Sequence, residues 1–432
     1  MKNDNPPPRL FGNRNFRWLF AGSLVSQLGD QFTLIALPWL VLQLTGDPLV
    51  LGTVLAVMGV PRALLILLGG ALVDRYSPKQ VLMLSKYACV LLLAMLAALT
   101  LAGKPDLRIV YALALAIGVA SAFSLPSATS ILPTVMPPQL LGQATALMSG
   151  VRQLALFAGP LLAGVLIAAF GDLATAGAAD RAGLAGIGIA FALDAATFAL
   201  SAWTLSRVTP LVAAVAPPAR EAAPVWAAVG EGLRYCWRDN SLRVCFCYWA
   251  AVAFFITGPV QVAMPVLASE VGGSASAFGM LAGAFGAGTL IGMAFSALRP
   301  GFRLGSLGTT ILALDAAVGL LFMPLGLISA TWQGVVLLLA VGALGGFLQV
   351  VIFTWLQRYV APAMLGRSMA LFMFIFMGIA PISSSVTGWA MRSVGLPVLF
   401  LACGATLVAI VLLAFLASGM PAVADVGRTP AT

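Results

Sequence analysis

The feature that most constrains this chain is a succession of long apolar runs, each bounded by charge, Gly or Pro. They fall at 18–45, 50–73, 81–102, 108–132, 141–170, 184–206, 242–268, 276–298, 305–327, 333–356, 367–392 and 397–418. About 20 apolar residues in helical form cross the hydrocarbon core of a bilayer. Each run meets that length, so the spacing predicts an all-α polytopic membrane protein with twelve transmembrane helices. Composition agrees: 61% of the 432 residues are hydrophobic and 9% charged, too few polar side chains to clothe a water-soluble globule.

Orientation follows from the basic residues, because Lys and Arg accumulate in cytoplasmic loops. With the N-terminus inside, seventeen of the 23 Lys and Arg, Lys86 among them, fall on the inner side. Lys104, Arg108, Arg181 and Arg392 fall outside, and Arg62 and Arg152 lie within spans. Both termini are therefore predicted to be cytoplasmic. Residues 1–17 are polar and basic, without the apolar core and cleavage site of a signal peptide, and read as a cytoplasmic tail. The net charge of +9 is scattered through loops and forms no stripe suited to nucleic acid.

The longest polar segment divides the spans six and six. This predicts an N-terminal bundle at 18–206, a cytoplasmic linker at 207–241, a C-terminal bundle at 242–418 and a cytoplasmic tail at 419–432. The linker opens Ala/Pro-rich, then places Trp226, Val229, Leu233 and Trp237 at helical spacing, as in an amphipathic helix on a membrane surface. An internal echo supports the division: Leu141-Gly142-Gln143-Ala144-Thr145-Ala146-Leu147 opens the fifth span and Leu365-Gly366-Arg367-Ser368-Met369-Ala370-Leu371 the eleventh. Gly159-Pro160 corresponds to Ala380-Pro381. Two six-helix repeats in one orientation are a transporter architecture, with the substrate path where the halves meet.

Histidine is absent, and the five cysteines are an odd set with none placed in an outer loop. No disulfide framework, metal site or cofactor is expected, and Cys245-Phe-Cys247 is too short to ligate a metal alone. Proton handling must fall to carboxylates. Charged residues inside spans cost several kcal/mol unless paired or wet, which singles out Asp30, Arg62, Arg152 and Asp194. At 1.5 Å per residue, Asp30 lies ~18–21 Å from the cytoplasmic start of its helix and Arg62 ~18 Å from Asp74. Arg152 lies ~17 Å into the fifth span and Asp194 ~20 Å from Arg207, so all four converge near the bilayer middle. Two readings are open: ion pairs that hold the first bundle together, or a cavity group in which Asp30 changes protonation and frees an arginine for the substrate. Asp315, in the ninth span, is expected to brace the bundle.

The turn Gly69-Gly70-Ala71-Leu72-Val73-Asp74-Arg75-Tyr76-Ser77-Pro78-Lys79-Gln80 ends an apolar run in abrupt charge. Across essentially its whole length the chain resembles the major facilitator superfamily. Gly70, Asp74, Arg75 and Lys79 match that family's signature between helices two and three, with Ser77 and Pro78 departing from it. Gly159, Pro160 and Gly164 resemble the fifth-helix motif associated with exporters, with Ala155 and Ala163 in place of two of its glycines. Glu231-Gly232-Leu233-Arg234-Tyr235, Asp239-Asn240, Pro61-Arg62 and Leu132-Pro133 are similar to the bacterial subgroup of the enterobactin exporter and macrolide efflux proteins.

The resemblance implies two pseudo-symmetric six-helix bundles in a bacterial cytoplasmic (inner) membrane, acting as a monomer. It implies export of a bulky amphipathic compound, such as a drug, macrolide or siderophore, most simply in exchange for protons. It places helices one, two and five beside the path, and Gly70, Asp74, Arg75 and Lys79 in a cytoplasmic gate against helix eleven, with Arg75 and Lys79 able to touch anionic lipid. The residues themselves offer possible substrate contacts: adaptable apolar or aromatic ones from Phe254, Phe347, Phe353, Trp355, Met369, Met373, Phe376 and Met377, and hydrogen bonds from Gln261 and Gln349. A lipid or lysophospholipid flippase on the same fold is the alternative, and a non-transporting sensor a more distant one. No Gly-x-x-x-x-Gly-Lys-Ser/Thr loop is present, and without histidine an intramembrane enzyme is not expected.

Overall fold

Helices form wherever the apolar runs occur, because in lipid every backbone N–H and C=O must be satisfied within its own segment. The computed structural model describes residues 10–75, 77–103, 105–173, 179–209 and 225–423, with backbone alone at 67–75, 171–173, 179–183, 225–229 and 362–363. The tail at 1–9, the Ala/Pro-rich first part of the linker and the tail from 424 onward lie outside the described residues.

The helices are α1 (Arg14–Thr45), α2 (Pro48–Arg75), α3 (Pro78–Leu101), α4 (Leu107–Ala122), α5 (Ser124–Val135), α6 (Pro138–Leu173) and α7 (Ala179–Ser206), then α8 (Val225–Arg238). The second half has α9 (Asn240–Gly258), α10 (Met264–Val271), α11 (Ala275–Leu298), α12 (Leu307–Phe322), α13 (Thr331–Tyr359), α14 (Pro362–Ala390) and α15 (Leu396–Ala417). Twelve stretches are long and apolar enough to cross a membrane, as the sequence predicts. Two of them are composite. α4 and α5 form one span broken at Phe123, and α9 and α10 form another, joined by a π-turn at Pro259–Ala263.

Local signals start and stop these helices. Asn13, Asp106, Asp239, Ser274 and Ser306 each cap a helix N-terminus with a side-chain oxygen that accepts an otherwise unpaired backbone N–H. Gly46, at φ +61°, ends α1 in the left-handed conformation that glycine adopts without strain. The π-turn is stitched from outside. Gly258 N–H donates to Ser383 Oγ at 2.9 Å, Ser383 Oγ–H donates to the Phe254 carbonyl, and Ser384 Oγ–H donates to Gln261 Oε1 at 2.9 Å.

α1 packs on α6 and α7, α3 on α7, and α2 on α4; in the second half α11 packs on α13, α12 on α15, and α14 on α9. Two antiparallel seams join the halves, α2 with α14 and α6 with α11. They are pseudo-symmetric equivalents: Pro381 of α14 faces Gly59 of α2, and the Pro160 carbonyl of α6 faces Gly279 of α11. Small residues make these seams possible, as expected where helices associate in lipid by close backbone approach. A Cβ at Gly279 would come within 2.8 Å of Gly164 Cα, and α11 turns Gly288 and Gly292 onto the α13 backbone at Leu339 and Ala343, while Gly342 and Gly346 of α13 face Phe285 and Thr289.

Candidate functional site

Asp30 is exposed although it lies near the middle of α1, between buried Gly29 and Gln31. The charges that act on it are Lys86 of α3, Arg62 of α2 and Arg152 of α6. A carboxylate ringed by cations from three neighbouring helices and still accessible faces a space among those helices. Arg152 is exposed and Arg62 half-buried. Among the described residues neither arginine forms an ion pair, and Arg62 Nε is buried without a hydrogen-bond partner.

Asp194 sits differently. It is 1% exposed and its carboxylate accepts from Thr33 Oγ1 of α1 and, at 3.2 Å, from Thr197 Oγ1 one turn on in α7. A side chain at Gly29 would collide with Asp194 and Thr197, so this glycine sets the spacing of α1 and α7 beside Asp30. The structure thus brings Asp30, Arg62 and Arg152 together and places Asp194 behind them, inside the bundle.

Lys86 corrects the topology count. The charge count assigns it to the inner side, yet it lies within α3 and is 8% exposed, with Nζ 3.4 Å from Ser26 Oγ and 5.4 Å from the Phe198 ring centre. The missed signal was its position: Pro78 starts the helix, leaving Lys86 two turns inside the span.

The exporter-type motif holds the site's walls. Gly159 gives room to the Gln31 side chain, next to Asp30, and Gly164 packs on Ala275 and Gly279. Beyond it the halves are shut. Gly52 meets the backbone at Ser384, Gly388 meets Pro48 and Leu49, and Arg392 forms an ion pair with Asp47, its Nε 3.3 Å from Asp47 Oδ1. A Cβ at Gly142 or Gly366, in the first turns of α6 and α14, would meet nothing within 4 Å.

Gly70, Asp74 and Arg75 close α2, but their side chains lie outside the described residues. Lys79 is engaged within its own half, donating to the carbonyls of Ser206 at 3.2 Å and Val208 at 2.7 Å, where α7 leaves acceptors unpaired. The start of α14 is held by α8: Arg367 pairs with Glu231 at 2.9 Å and Cys236 Sγ lies 3.6 Å from Ser368 Oγ.

Of the expected substrate contacts, Gln261 and Gln349 are exposed, and Phe254, Phe353, Met369, Met373, Phe376 and Met377 are half-buried. Phe347 and Trp355 are buried. Phe347, 4% exposed, packs on Phe295 and Phe302, and Trp355, 2% exposed, stacks on Tyr359. Helical spacing alone does not distinguish a core face from a cavity face in a helix that is apolar all round. A separate apolar groove of about 730 Å³ runs between α3 and α4 past Leu84, Ala88, Leu115 and Val119, on the face of α3 opposite Lys86.

Comparison with known proteins agrees with this architecture. The Major Facilitator Superfamily pattern matches residues 19–384. The enterobactin exporter EntS of Citrobacter koseri is 26% identical over 373 residues, covering 82% of this chain and 79% of its own. Among solved structures, a point mutant of the nucleoside transporter NupG superposes with a TM-score of 0.73 at 13% identity, over 92% of this chain and 98% of that one. The D-xylose-proton symporter superposes at 0.69 and 12%, over 96% and 99%. The chain is therefore a member of the Major Facilitator Superfamily, a multi-pass inner-membrane transporter and not an enzyme.

Proposed function

We propose that the chain exports a bulky amphipathic small molecule by alternating access, with transport coupled to the protonation of Asp30. The observation that carries this is Asp30 itself, accessible near mid-span and set among three cations, with no direct ion pair among the described residues. Such a carboxylate takes and releases a proton according to which side the cavity opens to, because desolvation favours its neutral form and nearby cations its charged form. The exporter-type packing at Gly159, Pro160 and Gly164, and the likeness to EntS, support outward transport.

In this reading both termini are cytoplasmic, and the Asp47–Arg392 end is the outer face, closed here. Substrate then enters from the cytoplasm between the halves. The Gly70–Lys79 turn and the start of α14 meet in the opposite, outward-open state. The protein acts as a monomer, with surrounding lipid as solvent.

Asp30→Asn is expected to abolish substrate-driven proton movement in liposomes under an imposed pH gradient while expression and helicity stay unchanged. Proton movement by this variant at the wild-type rate would exclude Asp30 as the coupling site.

A further inference from the structure

We propose that the transported molecule is an amphipathic organic anion, held with its negative group against Arg62 and Arg152 and its apolar body against the second half. This rests on the transport reading above and adds the chemical class and the orientation of the substrate.

The two halves share charge unequally. Within its spans the first half carries Asp30, Arg62, Lys86, Arg152 and Asp194, whereas near mid-span the second carries Asp315. Asp315 is closed to any ligand: it is 5% exposed and accepts a 2.7 Å hydrogen bond from Tyr248 Oη. Asp194 is occupied by Thr33 and Thr197, and Lys86 is sealed between Ser26 and the Phe198 ring. What a ligand can reach is one carboxylate, Asp30, against two guanidinium groups.

Among the described residues neither Arg62 nor Arg152 makes an ion pair, and the buried Arg62 Nε has no acceptor. An unpaired donor away from water is costly, and a guanidinium fork matches a carboxylate, sulfonate or phosphate edge. An anion supplies the missing acceptors. A cationic group would meet two like charges and one acid, and protonation of Asp30 would remove that acid. Across the seam, α14 presents half-buried Met373, Phe376 and Met377 and no ionisable side chain near mid-span, a surface for an apolar body.

The test uses three probes with one ring system and chain and different end groups: pyrenebutyrate, pyrenebutanol and pyrenebutyltrimethylammonium. Binding to the purified full-length protein is read from its thermal unfolding, and transport from proton movement in liposomes. Pyrenebutyrate is expected to bind about ten-fold or more tightly than the alcohol, with the ammonium weakest. Arg152→Gln should reduce that preference to about two-fold or less, and Arg152→Lys should restore part of it. Asp30→Asn should tighten pyrenebutyrate binding, a gain that a poorly folded variant cannot show. Equal binding of acid and alcohol, tighter binding of the ammonium, or binding of none of the three overturns the proposal. Anion-selective binding without proton movement supports it and overturns the coupling reading instead.

Discussion

Asp47 and Arg392 show how one pair of residues can set the state of the molecule. The Arg392 guanidinium, hydrogen-bonded to Asp47, holds that carboxyl below its usual range. A carboxyl whose pKa is lowered in the closed state favours closure above its free pKa, near 4, and loses that effect as pH falls through the lowered value. Acidifying from neutrality to below about pH 4 is therefore expected to open this end, and Asp47→Asn to open it at neutral pH. Because Arg392 is exposed, the effect should weaken in high salt. Distances between spin labels on the α1–α2 and α14–α15 turns check this; no change on acidification or in Asp47→Asn would assign closure to helix packing alone. Asp30, Arg62 and Arg152 were legible in the sequence because charge inside an apolar run is conspicuous. Lys86 was not, since a cation near a span's end looks like a loop residue until the helix start is placed.

At the scale of elements, closure is a matter of backbone approach. α11 is built for two partners: Gly279, Gly283 and Gly286 face α6, and Gly288 and Gly292 face α13. The first set belongs to a seam that parts in the proposed alternating-access cycle, the second to packing within one half. Gly283→Leu is expected to wedge the α6–α11 seam at a cost of ~1–3 kcal/mol, shifting the population about ten-fold or more toward opening of the Asp47 end. The equivalent change at Gly292 should lower thermal stability without moving that equilibrium. Cysteine-accessibility labelling at the Asp47 end separates the two outcomes, and equal effects from both would refute the division. The small-residue spacing was in the sequence, but which helix each face meets was not, because a glycine stripe specifies closeness without naming a partner.

For the whole molecule, the proposed cycle requires the Asp47–Arg392 end to open and close once per transport event. Replacing both residues by cysteine in a background free of the five native cysteines, and bridging them with a short reducible bifunctional reagent, should arrest transport. Reduction should restore it, and transport that persists while bridged would rule out this end as a moving gate. The linker helix α8 stays with the second half in the structure, tied to Arg367 and Ser368, so rearrangement is expected between α8 and the first half.

The sequence by itself determined that the chain spans a membrane twelve times and divides into two related halves. Those properties follow from run length, because lipid forces each apolar run to satisfy its own backbone as a helix. Lys and Arg placement likewise supports the proposed orientation. Only the tertiary structure decided that Asp194 is enclosed while Asp30 is accessible, that Phe347 and Trp355 are core, and that Lys79 caps α7. In a helix apolar on every side, the chain alone does not say which face meets protein, lipid or water. That choice is made by which other helices pack against it, and here glycines opposite backbone carbonyls and the buried Arg62 Nε, without a partner among the described residues, are where the choice becomes visible.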